Sequence, residues 1–240
     1  MIYFLIPTYN EEANIPELAK NLLAVSLDEE KFFVFVDDNS SDNTIGTIKK
    51  HFQEQHLEVI SKLENKGPGD SFNKGFEWIL NHSKSDKDKV VTLEADNTSD
   101  LNILPTMVML GERGFDFVLA SVYAQGGGFG KTSFFRKFLS FGANFMFRFM
   151  YDVKVLTLSS FYRAYSIRSI KKIKTQYSTI INEAGFVCML EILLKGIKTD
   201  ATVIEVPMML KSENRKGKSK MKVYRTMKAY IRFLFFTRLK

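Results

Sequence analysis

Five short apolar runs rich in β-branched and aromatic residues, at 2–6, 32–36, 57–60, 90–93 and 115–120, recur along the first half of the chain. Between them lie amphipathic stretches at 14–25, 42–53, 70–81 and 101–112, whose apolar residues return with a helical period and whose starts fall near an Asn, Ser or Asp. Strands and helices in regular alternation predict an α/β fold, a mainly parallel sheet flanked by helices. After Ser121 the alternation stops, and Gln125-Gly126-Gly127-Gly128 reads as a flexible joint. Further on, 203–209 reads as one more strand. The stretch 221–236 reads as a last helix with Tyr224, Met227, Ile231 and Leu234 on one face.

The segment 129–151 differs from the rest. It holds eight of the chain's 22 phenylalanines, while Arg136, Ser140, Asn144 and Arg148 recur every four residues and draw one polar stripe along an apolar helix. Lys131, Arg136, Lys137 and Arg148 put four charges in it, which argues against a membrane span and suits a helix lying in the interface. A core helix packed on the sheet is the competing reading.

Composition sharpens this picture in three ways. A chain of 240 residues with 45% hydrophobic residues can bury one sizeable core but is short for two domains. The lone Cys188 excludes an internal disulfide, and His51, His56 and His82 lack the spacing of a zinc site, so a metal would be a hard ion on carboxylates. The net charge of +7 is uneven, because 211–240 carries eleven Lys and Arg against one acid, Glu213. The division expected is one α/β domain over 1–210, including the interfacial segment 129–151, and a basic loop and amphipathic helix over 211–240. A tail this basic suits phosphates or an anionic membrane surface. The N-terminus has no signal-peptide pattern and no run is apolar enough to span a bilayer. The expected location is the cytoplasm, peripheral on the cytoplasmic face of the membrane.

Candidate chemistry lies at strand ends. In an open α/β sheet, ligands sit beyond the carboxyl ends of the strands. The first strand runs into Pro7-Thr8-Tyr9-Asn10-Glu11, the second into Asp37-Asp38-Asn39-Ser40-Ser41-Asp42, and the fourth into Glu94-Ala95-Asp96. Adjacent carboxylates there are costly without a cation or donors. Ordinary helix capping explains any one of them, but three in one sheet point to a base, a ribose and a metal-bound diphosphate. The turn Gly67-Pro68-Gly69 before Asp70 is a weaker candidate for phosphate contact through free helix N–H groups.

The ordered set IPTYNE, VDDNSSDNT, NKGPGDSFNKGF and EAD resembles the inverting glycosyltransferase family 2, and within it the branch of dolichyl-phosphate mannose synthase and bacterial polyprenyl-phosphate glycosyltransferases. The resemblance implies a GT-A fold with a Rossmann-like, mainly parallel sheet and amphipathic helices after it. It implies nucleotide contacts from Pro7, Tyr9, Glu11, Val36, Asp38, Ala95 and Arg215. It also implies Mg2+ or Mn2+ on Glu94 and Asp96, where the family has Asp-Ala-Asp. Ser159-Ser160-Phe161-Tyr162-Arg163-Ala164-Tyr165 resembles a family stretch that makes Arg163 a candidate for the acceptor phosphate. Lys220 ends a motif in which Asn214 stands at the Arg position, with Arg215 one residue along. Val122 likewise stands where mannose-phosphate synthases have Arg, so the sugar and the choice of guanosine or uridine diphosphate stay open.

The implied reaction is inverting transfer from a GDP- or UDP-sugar to a polyprenyl phosphate, with Asp96, Arg163 and Lys220 as catalytic candidates. The implied partners are that donor, that lipid and the anionic membrane surface, with room for a separate membrane subunit and no nucleic acid. A sugar-hydroxyl acceptor would instead need a base, for which Glu183 at a predicted helix start is nearest. A sugar nucleotidyltransferase is disfavoured because its Gly-rich basic loop is replaced here by acidic 7–12. A degenerate, non-catalytic membrane-binding relative is the remaining alternative.

Overall fold

The computed structural model describes residues 1–130, 148, 153–217, 220 and 223–236. The predicted helix over 129–151 falls outside these, apart from its first two residues and Arg148. Seven strands form the central sheet in the order β3-β2-β1-β4-β7-β5-β8. They are β1 (Ile2–Thr8), β2 (Lys31–Asp37), β3 (His56–Ser61), β4 (Lys89–Thr92), β5 (Phe117–Ser121), β7 (Arg163–Ser166) and β8 (Val203–Pro207). A separate parallel pair joins β6 (Gly128–Phe129) to β9 (Met209–Leu210). All sheet neighbours are parallel except β7, which runs antiparallel between β4 and β5. The five strands expected in the first half are present, with ends shifted by one or two residues. By contrast, β7 has four residues including Arg163 and Ser166, too short and too polar for an alternation to be read.

Side-chain alternation along the strands builds two cores. Ile2, Phe4 and Ile6 with Phe33 and Phe35 meet α1 (Ile15–Ala24), α2 (Thr44–His51) and α4 (Leu104–Glu112) on one face. Tyr3 and Leu5 with Val34 and Val36 meet α3 (Pro68–His82), α5 (Ile167–Tyr177) and α6 (Cys188–Lys198) on the other. Each such fully buried Ile, Leu or Phe contributes about 1.5–3 kcal/mol relative to exposure. The helix α7 (Val223–Phe236) joins the second core through fully buried Phe233, with Ala229, Tyr230 and Leu234 packed beside it. Tyr224, Met227 and Ile231 of the predicted face are exposed instead.

A buried ion pair braces the second core. Glu191 and Lys195, both on α6, meet at 2.7 Å with almost no exposure. Lys195 also donates to the carbonyls of Thr179 and Ile180 at 2.9 and 3.0 Å, while Glu191 accepts from the backbone N–H of Asn182 and of Glu183. The pair therefore fixes the segment before α6, and the carbonyl of Ala184 in that segment accepts from Gly69 N at 2.7 Å.

The strand order reverses beside β1: the chain steps outward to β2 and β3, then returns to place β4 on the other side of β1. Open α/β sheets leave a crevice at such a switch point, beyond the carboxyl ends of the strands.

Candidate active site

The loops leaving β1, β2 and β4 share one turn device. Asn10, Asn39 and Asn97 each adopt a left-handed backbone, with φ of 54°, 62° and 63°. Asn tolerates this conformation better than most residues, so each strand can end in a tight polar turn. The three loops are then tied to one another. Asn10 N donates to Ser40 Oγ at 2.8 Å, Glu11 N to Thr44 Oγ1 at 2.8 Å, and Asn97 Nδ2 to the Asn14 carbonyl at 3.0 Å.

Asn14 reads in the sequence as a helix cap, but its side chain makes no capping bond. Its amide donates to Glu11 Oε2 at 2.6 Å and exchanges two bonds with the Lys216 backbone, at 2.9 and 3.1 Å. The basic segment 211–217 is thereby drawn across the crevice rather than left as a solvated tail. Lys211 pairs with Asp100 at 3.0 Å, Arg215 with Asp96, and Lys220 with Glu11. Alongside, a cleft of about 640 Å3 is lined by Asn10, Glu12, Asn14, Asp42, Lys216 and Lys220 among others.

The acids divide by partner. Asp37 accepts from the Ser40 N–H and hydroxyl and closes its own turn. Asp38 accepts from Lys66 N at 2.9 Å, Gly67 N at 2.8 Å and the buried Lys62 ammonium at 2.5 Å, and Lys62 also reaches Asp70 at 2.6 Å. Lys62 escaped the sequence reading, since a lone Lys after a strand gives no signal of burial. Asp96 accepts from Thr98 N and Oγ1 through Oδ1, and from Arg215 Nε at 2.6 Å through Oδ2. Glu94 accepts from Ser99 Oγ at 3.3 Å. Burial of its carboxyl, with the negative charge of Asp96 beside it, pushes Glu94 up to about 7. Burial likewise raises Glu11, against the opposing pull of Lys220.

Glu94 and Asp96 are thus an adjacent, mutually repelling pair facing one guanidinium. No group of three or more potential metal-ligating side chains occurs among the described residues. Two carboxylates suit a hard divalent ion that takes its remaining ligands from phosphate oxygens and water. The residues present fit such a cation.

The other predicted site residues differ in exposure and in partners. Val36 and Ala95 are buried among core side chains, so their side chains offer nothing to a ligand. Pro7 is half-buried in β1, while Tyr9 is 37% exposed at the rim. Arg163 is fully buried on β7, and its guanidinium donates to the carbonyls of Leu158, Ser160 and Met189 at 2.7–2.8 Å. It is held away from any acceptor phosphate because a buried guanidinium demands several acceptors and these carbonyls supply them. The Gly67-Pro68-Gly69 turn is no open phosphate cradle either. Its N–H groups at Gly67 and Gly69 go to Asp38 and Ala184. A Cβ on Gly69 would stand 1.8 Å from the Glu183 carbonyl oxygen, so the glycine serves close backbone approach. Glu183 itself precedes α6 by five residues instead of starting it, and burial with the nearby Glu191 charge raises its pKa.

A mainly parallel sheet with acidic strand ends converging on a switch-point crevice defines a GT-A type sugar-transferase architecture. The chain belongs to glycosyl transferase family 2, whose model matches residues 3–174. It is 28% identical over 235 residues to a dolichol-phosphate mannosyltransferase of Pyrococcus furiosus, covering 96% of this chain and 62% of that protein. It is 26% identical over 220 residues to a polyprenol monophosphomannose synthase of Mycolicibacterium smegmatis, covering 90% of this chain and 79% of the relative. Among solved structures, it is similar in fold to the glucosyl-3-phosphoglycerate synthase of Mycobacterium tuberculosis crystallised with Mn2+, UDP-glucose and glycerol 3-phosphate. There the TM-score is 0.65 at 16% identity, covering 97% of this chain and 76% of that one.

Proposed function

We propose that this protein is an inverting glycosyltransferase that moves a sugar from a nucleoside-diphosphate donor to a polyprenyl phosphate at a membrane surface. The observation that carries the reading is the convergence of three acidic strand ends, closed over by Arg215 and Lys220. Relatives named for transfer to dolichol or polyprenol phosphate add support for the acceptor. The donor's base and sugar stay open between GDP- and UDP-linked forms.

Glu94 and Asp96 would hold Mg2+ or Mn2+, which supplies charge to stabilise the departing diphosphate. Asp38 and Lys62 fix the 66–67 turn beside the second strand end, giving the nucleotide a rigid wall. Tyr9, exposed at the rim, would meet the base. Arg215 and Lys220 are the cations available to the phosphates once their carboxylate partners are engaged elsewhere. A phosphate monoester acceptor is already anionic near neutral pH, so its oxygen attacks the anomeric carbon without a protein base. With Arg163 enclosed by carbonyls, orienting the acceptor falls to Lys220 and the neighbouring basic segment.

Membrane attachment belongs to the same reading. No helix among the described residues is long and apolar enough to cross a bilayer. On α7, exposed Tyr224, Met227 and Ile231 lie among exposed Arg225, Lys228 and Arg232, a pairing that suits an anionic lipid surface. In this reading the protein lies peripherally on the cytoplasmic face, with 1–210 as the catalytic unit and 211–240 contributing both the site's basic segment and the lipid contact.

The direct test incubates the protein with radiolabelled GDP-mannose, UDP-glucose or other nucleotide sugars, Mn2+ and vesicles containing polyprenyl phosphate. Sugar should enter the lipid phase. Thermal shifts with nucleoside diphosphates and Mn2+ should identify the nucleotide by the larger stabilisation. Transfer only to a water-soluble acceptor, with no vesicle binding, would reject the lipid-phosphate reading while keeping the family.

A further inference from the structure

At the crevice the Arg215 guanidinium closes on Asp96. Nε donates to Oδ2 at 2.6 Å and Nη2 closes on the same oxygen, while Thr98 occupies the other oxygen. The partners stand 119 residues apart, so local sequence does not force the pairing. Asn14, 2% exposed, holds it in place. Its side chain accepts from Lys216 N and donates to Lys216 O, as a strand neighbour would, and its own carbonyl accepts from Asn97 beside Asp96. The clamp therefore connects the first-strand loop, the metal-facing loop and the residue next to Arg215.

We propose that Arg215 is an internal counter-ion of Asp96 which a divalent cation must displace, and that Asn14 sets how firmly it is held. The proposal rests on the metal-dependent reading given above. Two adjacent carboxylates without a cation repel each other, and the guanidinium relieves that repulsion when no metal is bound. Metal and Arg215 then compete for Oδ2. Such coupling is reciprocal: what Arg215 subtracts from metal affinity, the metal subtracts from the hold on the 215–217 segment. A displaced guanidinium acquires another anionic partner when a donor diphosphate is present. The same residue thus opposes the bare cation and favours the cation together with the diphosphate, making a donor-free site poorly metallated.

The experiment is Mn2+ binding to the full chain without nucleotide, read from the electron paramagnetic resonance of free Mn2+. Arg215→Gln should bind Mn2+ at least about fivefold more tightly than the unsubstituted protein, the lower end of ordinary site coupling. Asn14→Ala should move in the same direction by less. In the unsubstituted protein, tryptic cleavage after Arg215 or Lys216 should accelerate on adding Mn2+. Equal or weaker Mn2+ binding by a folded Arg215→Gln protein overturns the proposal. If that variant does not fold, the tryptic assay decides, and cleavage indifferent to saturating Mn2+ overturns it. An Asn14→Ala protein with unchanged Mn2+ affinity removes Asn14 from the device. Absence of Mn2+ binding to every variant, with or without nucleoside diphosphates, brings down the metal reading and this proposal together. Equal binding by all variants brings down the proposal alone.

Discussion

Two carboxylate–cation pairs in this molecule have similar chemistry and different consequences. Glu191 and Lys195 lie one helical turn apart on α6, sealed from water, with their remaining hydrogen-bonding capacity directed to the 179–183 backbone. Asp96 and Arg215 stand 119 residues apart in the chain, and the arginine keeps 25% exposure of its side chain. A sealed pair on one rigid element cannot exchange partners without opening the core. A pair at a crevice, bridging two loops, can. The difference separates an ion pair that builds the scaffold from one suited to changing hands during binding.

The sealed pair should give the largest effect when broken. Lys195→Ala leaves Glu191 buried without its cation and should cost about 3–5 kcal/mol of stability, measured by urea denaturation. Replacing Glu191 and Lys195 together by Leu and Met should recover only part of that loss, because the N–H groups of Asn182 and Glu183 and the carbonyls of Thr179 and Ile180 also lose their partners. A Lys195→Ala protein as stable as the unsubstituted one would erase the contrast.

Asp96→Asn should cost less stability than Lys195→Ala, because Arg215 keeps 25% side-chain exposure and loss of the charge relieves the repulsion with Glu94. Transfer should nevertheless fall by at least ~100-fold, as expected when charge stabilisation at a departing group is removed. Activity that persists in that variant, or in excess chelator, would place the cation elsewhere.

Asp38→Ala releases Lys66 N and Gly67 N and leaves the Lys62 ammonium with Asp70 as its remaining carboxylate. Affinity for the free nucleoside diphosphate should drop about tenfold by titration calorimetry, in line with the loss of one charged hydrogen-bond partner. A loss confined to the sugar-bearing donor would show that Asp38 supports the sugar side of the crevice. Glu94→Asp is the mildest change. It should retain most activity, since the shorter side chain restores the Asp-Ala-Asp pattern of the family.

The sheet and its acidic ends were legible because they rest on local pattern. Apolar runs such as 2–6 and 32–36 can be buried in few ways, and polar residues directly after them must leave the core at the carboxyl edge. The short β7 was not legible, since its place between β4 and β5 is decided by pairing across more than forty residues. The two site arginines had opposite fates for the same reason. Both carry the same side chain in a family-like motif, yet Arg163 met three carbonyls inside the core while Arg215 met Asp96 at the crevice.

By itself, then, the sequence determined the α/β alternation, the positions of Asp38, Glu94 and Asp96 at strand ends, and a basic C-terminal segment. Tertiary structure alone decided which cation meets which acid. Asn14 became a clamp instead of a helix cap, Lys62 a buried partner of Asp38, and Gly69 a point of backbone contact with Glu183. Periodicity records how often a residue must face the core. The partner of a charge depends on distances between segments hundreds of bonds apart, and those are fixed only when the sheet has closed its order and the crevice has formed.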